Sequence, residues 1–404
     1  MPLLMKEGTV SCDASSRVSQ IGAIFRDFGP AFLTQNKLGS DQRKVFWRIA
    51  QCRTAALGGA LWKCTHCHHW VEVYHSCRDR HCPHCQTQKR KEWVQKRLNE
   101  LLPVPYYHLV FTLPHHLHKI IKANPKECLS LLFQSASQTL LSFANDPKYL
   151  GAKPGILMVL HTWGRKLNYH PHVHVIMTAG GLSKDGQSWV DPPSPKFLFP
   201  VKALSKVFRG KFLTGLDKIR SDLRFPQAIQ TIADPSRWNR WKAKLATKAF
   251  LVYAKRPFGS PAVVLKYLGA YTHRVAISNQ RILKYDRDSV TFRFKDYATH
   301  GVTRILTMTT QSFARAFLQH VLPKAFMRIR SYGFLASRTK TASLKQCRAL
   351  LGDSDIPSLE LESDPVELSE AKHCPRCHHE TMVIEKTLHP IKKAKLRALL
   401  WDTS

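Results

Sequence analysis

Strict alternation marks the middle of the chain. In HPHVHVIMTAGG, residues 170–181, histidines occupy every second position at His170, His172 and His174, and the apolar Val175, Ile176 and Met177 follow. A period of two predicts a β-strand. GILMVLHTW at 155–163 predicts a neighbouring strand across a short polar link, and YYHLVFTL at 106–113, closed by Pro114, a buried third. SVTFRFKDY at 289–297 predicts a further strand.

Helical spacing accounts for much of the rest. Residues 39–57 place Phe46, Ile49 and Ala50 on one side, and the basic stretch 86–102 carries Trp93, Leu98 and Leu101 before Pro103 and Pro105 end it. Helical material follows Pro114 to about residue 145 and fills 198–254 and 310–335. Residues 260–276 open with Ser260 as candidate N-cap and Pro261 in the first turn. The Pro- and Ser-rich 185–197 predicts a loop, and the acidic 352–370 a linker. The class expected is α+β, with an antiparallel sheet flanked by helices. The chain divides into an extension (1–38), a cysteine-rich domain (39–102), a central sheet domain (103–300), a helical region (301–350), and a linker with a cysteine-containing tail (351–404).

Charge narrows the partners. Among 404 residues, 62 Lys and Arg face 28 Asp and Glu, a formal charge of +34 that implies a polyanion, above all nucleic acid. No stretch approaches the roughly 20 apolar residues needed to cross a bilayer. The first residues lack the pattern of a secretory signal, so the cytoplasm is the expected compartment.

Six of the eleven cysteines lie between Cys52 and Cys85. In a reducing compartment such clustering points to metal. Cys64-x2-Cys67 and Cys82-x2-Cys85, fourteen residues apart, match a four-thiolate zinc ribbon, a closed structural site. Cys77 and His81, inside the intervening loop, could replace a ligand or help hold a second ion. Arg78, Arg80, Lys89, Arg90 and Lys91 around the knuckles suit DNA phosphates. Cys374-x2-Cys377 is half a site, a candidate for a second zinc.

Residues two apart on a strand share a face at about 6.5–7 Å, so His172 and His174 can reach one ion while His170 stands a step too far. His161, eleven residues before His172, is placed for a third ligand across a hairpin. Such a site keeps open positions and could polarise a phosphoryl oxygen. A nucleophile is also on offer: Tyr267 and Tyr271 stand at i and i+4 in KYLGAYTHR, with Arg274 beside Tyr267 and Gly269 in mid-helix.

Taken in order, RDRHCPHCQ, FTLP, HPHVH and YLGAYTHRVAISNQRI resemble the transposases of insertion sequence family ninety-one, within the HUH endonuclease superfamily, from about residue 40 to 300. The resemblance implies His172 and His174 as the metal pair, His161 as third ligand, and Tyr267 and Tyr271 as catalytic tyrosines. It also implies Mg²⁺ or Mn²⁺ at the histidines, single-stranded DNA at element ends and target as partner, and cleavage and rejoining through a 5′-phosphotyrosine. A rolling-circle plasmid replication initiator or relaxase shares the histidine pair. A zinc-dependent DNA-binding regulator without enzymatic activity is the alternative from another class.

Overall fold

The computed structural model describes residues 20–86, 100–194, 199–258, 275–296, 301–352 and 373–391, with Trp93, Arg97, Val264 and Thr299. Its strands, in chain order, are β1 (Gly59–Cys64), β2 (Trp70–Tyr74), β3 (Tyr106–Thr112), β4 (Lys153–Trp163), β5 (Tyr169–Leu182), β6 (Trp189–Val190), β7 (Leu251–Phe258), β8 (Ile282–Tyr285), β9 (Ser289–Asp296), β10 (Val302–Thr309), β11 (Ile329–Gly333) and β12 (Met382–Leu388).

The alternating segments pair antiparallel in a central sheet of order β11-β4-β5-β3-β7, with β6 on β5. Odd-numbered residues of β5 (Val173, Val175, Met177) and the facing Ile156, Met158 and Leu160 of β4 are buried. They pack against helices Pro125–Asn145 and Val201–Lys218 through Phe133, Phe208 and Phe212. Period two therefore sends the even-numbered residues, histidines included, to the opposite face.

Two stretches expected as helix contain strands. Within 198–254, helices Val201–Lys218 and Pro235–Ala246 are followed by β7, and within 310–335 only Thr310–Leu318 is helical before β11. Both strands are edges of the central sheet, held by pairing with distant residues rather than by a local pattern strong enough to read. Residues 39–57 shorten to helix Ser40–Ala50 and a 3₁₀ turn at Ala55–Leu57.

A second core joins helices Gln20–Gln35 and Ser40–Ala50 to the antiparallel sheet β10-β9-β8 and helix Thr310–Leu318. Phe25 stacks on Phe46 at 4.5 Å and meets Phe317 edge-on at 5.5 Å. A small sheet, β12-β1-β2, pairs the tail with the cysteine-rich region. The architecture is thus mixed helix and antiparallel sheet. Among the described residues, no helix is long and apolar enough to cross a membrane.

Candidate metal centre and nucleic-acid cleft

Cross-strand register sets the histidines. His161 of β4 pairs directly with His172 of β5, and His174 lies two residues on. One ring nitrogen from each of His161, His172 and His174 falls within 4.8 Å of the others. His170 is not part of this group; its ring centre is 5.1 Å from that of His172.

Neighbouring groups orient the rings. His172 Nδ1 donates to the His170 carbonyl at 2.6 Å, leaving Nε2 as the lone-pair nitrogen. His174 Nδ1 meets Nε2 of His108 from β3 at 3.2 Å, their rings stacked 11° from parallel. The Trp163 ring stacks on His161 at 4.5 Å. Burial pushes His172 down to about 4, and burial with Lys255 pushes His108 down to about 3. Both are neutral near pH 7, the state that coordinates metal. His108 was not singled out in the sequence; its even register with the histidine face of β5 was the available signal.

The triad floors a cleft of about 780 Å³. Arg165 and Lys166, in the β4–β5 turn, line one side; Arg281, Arg293 and Lys295 line the other, together with Asp296 and Thr303. Arg281 ties the walls together, donating to the carbonyls of Arg165 at 2.6 Å and Arg293 at 2.8 Å. The Lys166 ammonium sits 5.1 Å over the Phe294 ring. Leu167 anchors the turn: its side chain is fully buried in the second core, and its carbonyl accepts from Gln319 Nε2 and His320 Nε2.

Tyr267, Tyr271 and Arg274 lie outside the described residues. Val264, three residues before Tyr267, is helical and fully buried, clustered with Leu157 and Ile176 on the histidine face of the sheet.

The cysteines divide differently from the expected ribbon. Cys52, Cys77, Cys82 and Cys85 converge, with Sγ separations of 3.6 Å (Cys52–Cys85, Cys77–Cys85) and 3.7 Å (Cys52–Cys82). A tetrahedron with metal–sulfur bonds of about 2.3 Å has edges of about 3.8 Å, so this set fits zinc. Cys64 and Cys67 instead sit at the other end of the β1–β2 hairpin and meet Cys374 and Cys377. The hairpin itself imposes the separation. Tyr74, at the end of β2, pairs with Gly59 at the start of β1, so the chain leaves the hairpin toward Cys77 about 17 Å along β1 from Cys64.

Cys77 joins the first cluster, but His81 does not: its Nδ1 bonds Asp79 at 3.0 Å and its Nε2 accepts from the Leu322 N–H at 3.2 Å. Arg80, expected at DNA, is spent on the carbonyls of Leu322, Pro323 and Phe326. Arg78 is exposed at positive φ, beside the cluster. Lys89, Arg90 and Lys91 lie outside the described residues.

Fold, cleft and thiolates together define a zinc-containing protein with a cationic cleft over three histidines. Residues 24–113 match the family described as "Transposase zinc-binding domain", and residues 155–343 the one described as "Putative transposase". Two curated relatives run along the chain. "Putative transposase y4qJ" of Sinorhizobium fredii is 40% identical over 95% of this chain and 98% of its own length. The "Transposase for insertion sequence element IS801" of Pseudomonas savastanoi pv. phaseolicola is 30% identical over 72% of this chain and 69% of its own. No solved structure matches. The chain belongs to the transposases of insertion sequence family ninety-one: it is a DNA transposase with an N-terminal domain that carries structural zinc.

Proposed function

We propose that this transposase is an HUH enzyme that cuts and rejoins single-stranded DNA through a 5′-phosphotyrosine, driving rolling-circle-type transposition. The observation that carries the reading is the triad: three imidazoles converge on one sheet face, at the floor of a cleft walled by five cationic side chains.

His161, His172 and His174 would hold a divalent ion, Mg²⁺ or Mn²⁺. The donor set fits an ion that keeps positions for phosphate oxygens and water, and three nitrogens suit Mn²⁺ better than the oxygen-seeking Mg²⁺. A bound ion supplies Lewis-acid polarisation of the scissile phosphate. The chain does the rest. Arg165, Lys166, Arg293 and Lys295 draw in the backbone phosphates of the strand. Tyr267 and Tyr271, at i and i+4 in the sequence, are the nucleophiles of this reading.

One tyrosine oxygen forms a bond to phosphorus as the 3′-oxygen leaves, taking a proton to become a free hydroxyl. Arg274, next to Tyr267 on the wheel, stabilises the phenolate. The phosphotyrosine keeps the ester energy, so rejoining needs no nucleotide cofactor, and the second tyrosine serves a second cleavage.

The test is a labelled single-stranded oligonucleotide from an element end, incubated with Mn²⁺. The wild type forms a covalent protein–DNA band; Tyr267→Phe/Tyr271→Phe and His172→Ala/His174→Ala form none, while the histidine variant still binds DNA. A band from the double Phe variant removes the nucleophile assignment.

A further inference from the structure

We propose that Cys64, Cys67, Cys374 and Cys377 hold one zinc ion, so that a single zinc ribbon is assembled from opposite ends of the chain. The matched zinc-binding segment, 24–113, contains only half of this site; the other half comes from a tail beyond both matched segments.

The two halves are built alike. Each reads Cys-x-x-Cys-His-His: CTHCHH at 64–69 and CPRCHH at 374–379. In both, the His after the second Cys takes positive φ, 56° at His68 and 60° at His378. Its N–H donates to the carbonyl of the first Cys, at 3.0 Å in one knuckle and 2.8 Å in the other. The first Cys N–H donates in turn to the carbonyl of the second His, at 2.9 and 2.7 Å. Backbone N–H groups also point at sulfur: Cys67 at Cys64 Sγ and Arg376 at Cys374 Sγ, each at 3.4 Å. Left-handed φ at a non-glycine residue is strained, and both knuckles adopt it at the same position, which turns two sulfurs toward one point.

The four sulfurs have the spacing of a coordination tetrahedron. Cys64–Cys377 and Cys67–Cys374 stand 3.6 and 3.5 Å apart, close to the edge of about 3.8 Å that zinc–thiolate bonds define. Strand β12 lies antiparallel on β1, from Gly59 opposite Leu388 to Cys64 opposite Met382, and brings the second knuckle to the first.

Packing alone is a weak alternative. Among the described residues, the module's buried set is Cys64, Cys374 and Met382, with Trp62, Val71 and the other two cysteines partly covered. A core that small does not hold strands together without a metal or disulfides. It must also close a loop of 307 residues, the separation of Cys67 and Cys374. The metal is therefore a clasp on the tail, and the transposase sheet is carried between the two halves of the ribbon.

Metal analysis of the purified full chain tests this. The wild type should carry two zinc equivalents, one for each four-cysteine cluster. Cys64→Ser/Cys67→Ser and Cys374→Ser/Cys377→Ser should each carry one, and the variant with all four changes should also carry one, because both pairs serve the same ion. Loss of two equivalents only in the fourfold variant would mean two separate sites and would overturn the proposal. So would retention of both equivalents in Cys64→Ser/Cys67→Ser, which leaves His66, Cys377 and His379 as an intact set. Should a variant lose both ions by unfolding, a second measurement decides. With a protease site placed between residues 352 and 373, the cut tail should co-elute with the body in zinc and separate once a chelator has removed the metal. A tail that stays bound to the metal-free body overturns the clasp.

Discussion

His174 hydrogen-bonds through Nδ1 to His108 Nε2, and its ring is one of the three of the triad. Such outer partners set the orientation and basicity of a ligand and typically change metal affinity about 10–100-fold. His108→Leu should therefore raise the Mn²⁺ concentration for half-maximal cleavage by that order, with activity largely recovered at saturating metal. A metal titration of adduct formation reads it directly. A second residue carries a stability prediction. His320 is enclosed, donating through Nε2 to the Leu167 carbonyl at 3.1 Å and pairing through Nδ1 with the Thr162 hydroxyl at 3.2 Å. Burial pushes its pKa down to about 3, below the 6.5 of a free histidine. The unfolded chain thus binds the extra proton between those values. Stability from this site is fully present above about pH 6.5 and falls as pH drops toward 3, by up to roughly 5 kcal/mol. Urea melts of wild type and His320→Gln across that range check it: the variant should lose much of the acid slope.

The β4–β5 hairpin shows what the elements contribute. Its strands were legible from the apolar run of β4 and the alternating histidines of β5, and with them the pairing that faces His161 with His172. Its turn was not. Leu167 holds a positive φ of 61°, a conformation that a leucine adopts only when the surroundings impose it. Here they are the second core and two donors from the end of helix Thr310–Leu318 and the loop after it. Leu167→Ala should cost about 2–5 kcal/mol, visible as a lower denaturant midpoint. The cleft cations belong to this scale too. Lys166 and Lys295 stand on different elements, and Lys166→Ala/Lys295→Ala should reduce the salt slope of single-strand binding by about 2, with little change in stability. The edge strands β7 and β11 were read as helix because a short edge has no pattern of its own beyond its partner.

Across the whole molecule, the cysteines tie distant parts together. The cluster of Cys52, Cys77, Cys82 and Cys85 sits within the core that joins the N-terminal helices, the sheet β10-β9-β8 and helix Thr310–Leu318. Since that sheet forms the cationic wall of the cleft, stripping zinc should loosen the wall as well as the domain. Chelation is expected to lower the melting temperature by on the order of 10 °C, followed by circular dichroism, and to weaken DNA binding in parallel. The charge of +34 acts over the same distance: it favours a polyanion before any specific contact is made.

Sequence alone determined what is local or additive. Alternation set the strand β5 and the face that carries the histidines, and apolar runs set β3 and β4; spacing set the CxxC knuckles; summed charge set the class of partner. The motif order pointed to the family to which the chain belongs. Tertiary structure decided how those parts are paired. CxxC spacing says that two sulfurs turn together, but which two knuckles share an ion depends on where the chain goes between them. Here the β1–β2 hairpin carries Cys77, Cys82 and Cys85 away from Cys64 to Cys52, and β12 returns 300 residues later to bring Cys374 and Cys377 to the vacated end. His108 entered by the same route, through strand pairing rather than through any motif. Such contacts come from long-range packing, whose free energy belongs to no single window of the sequence.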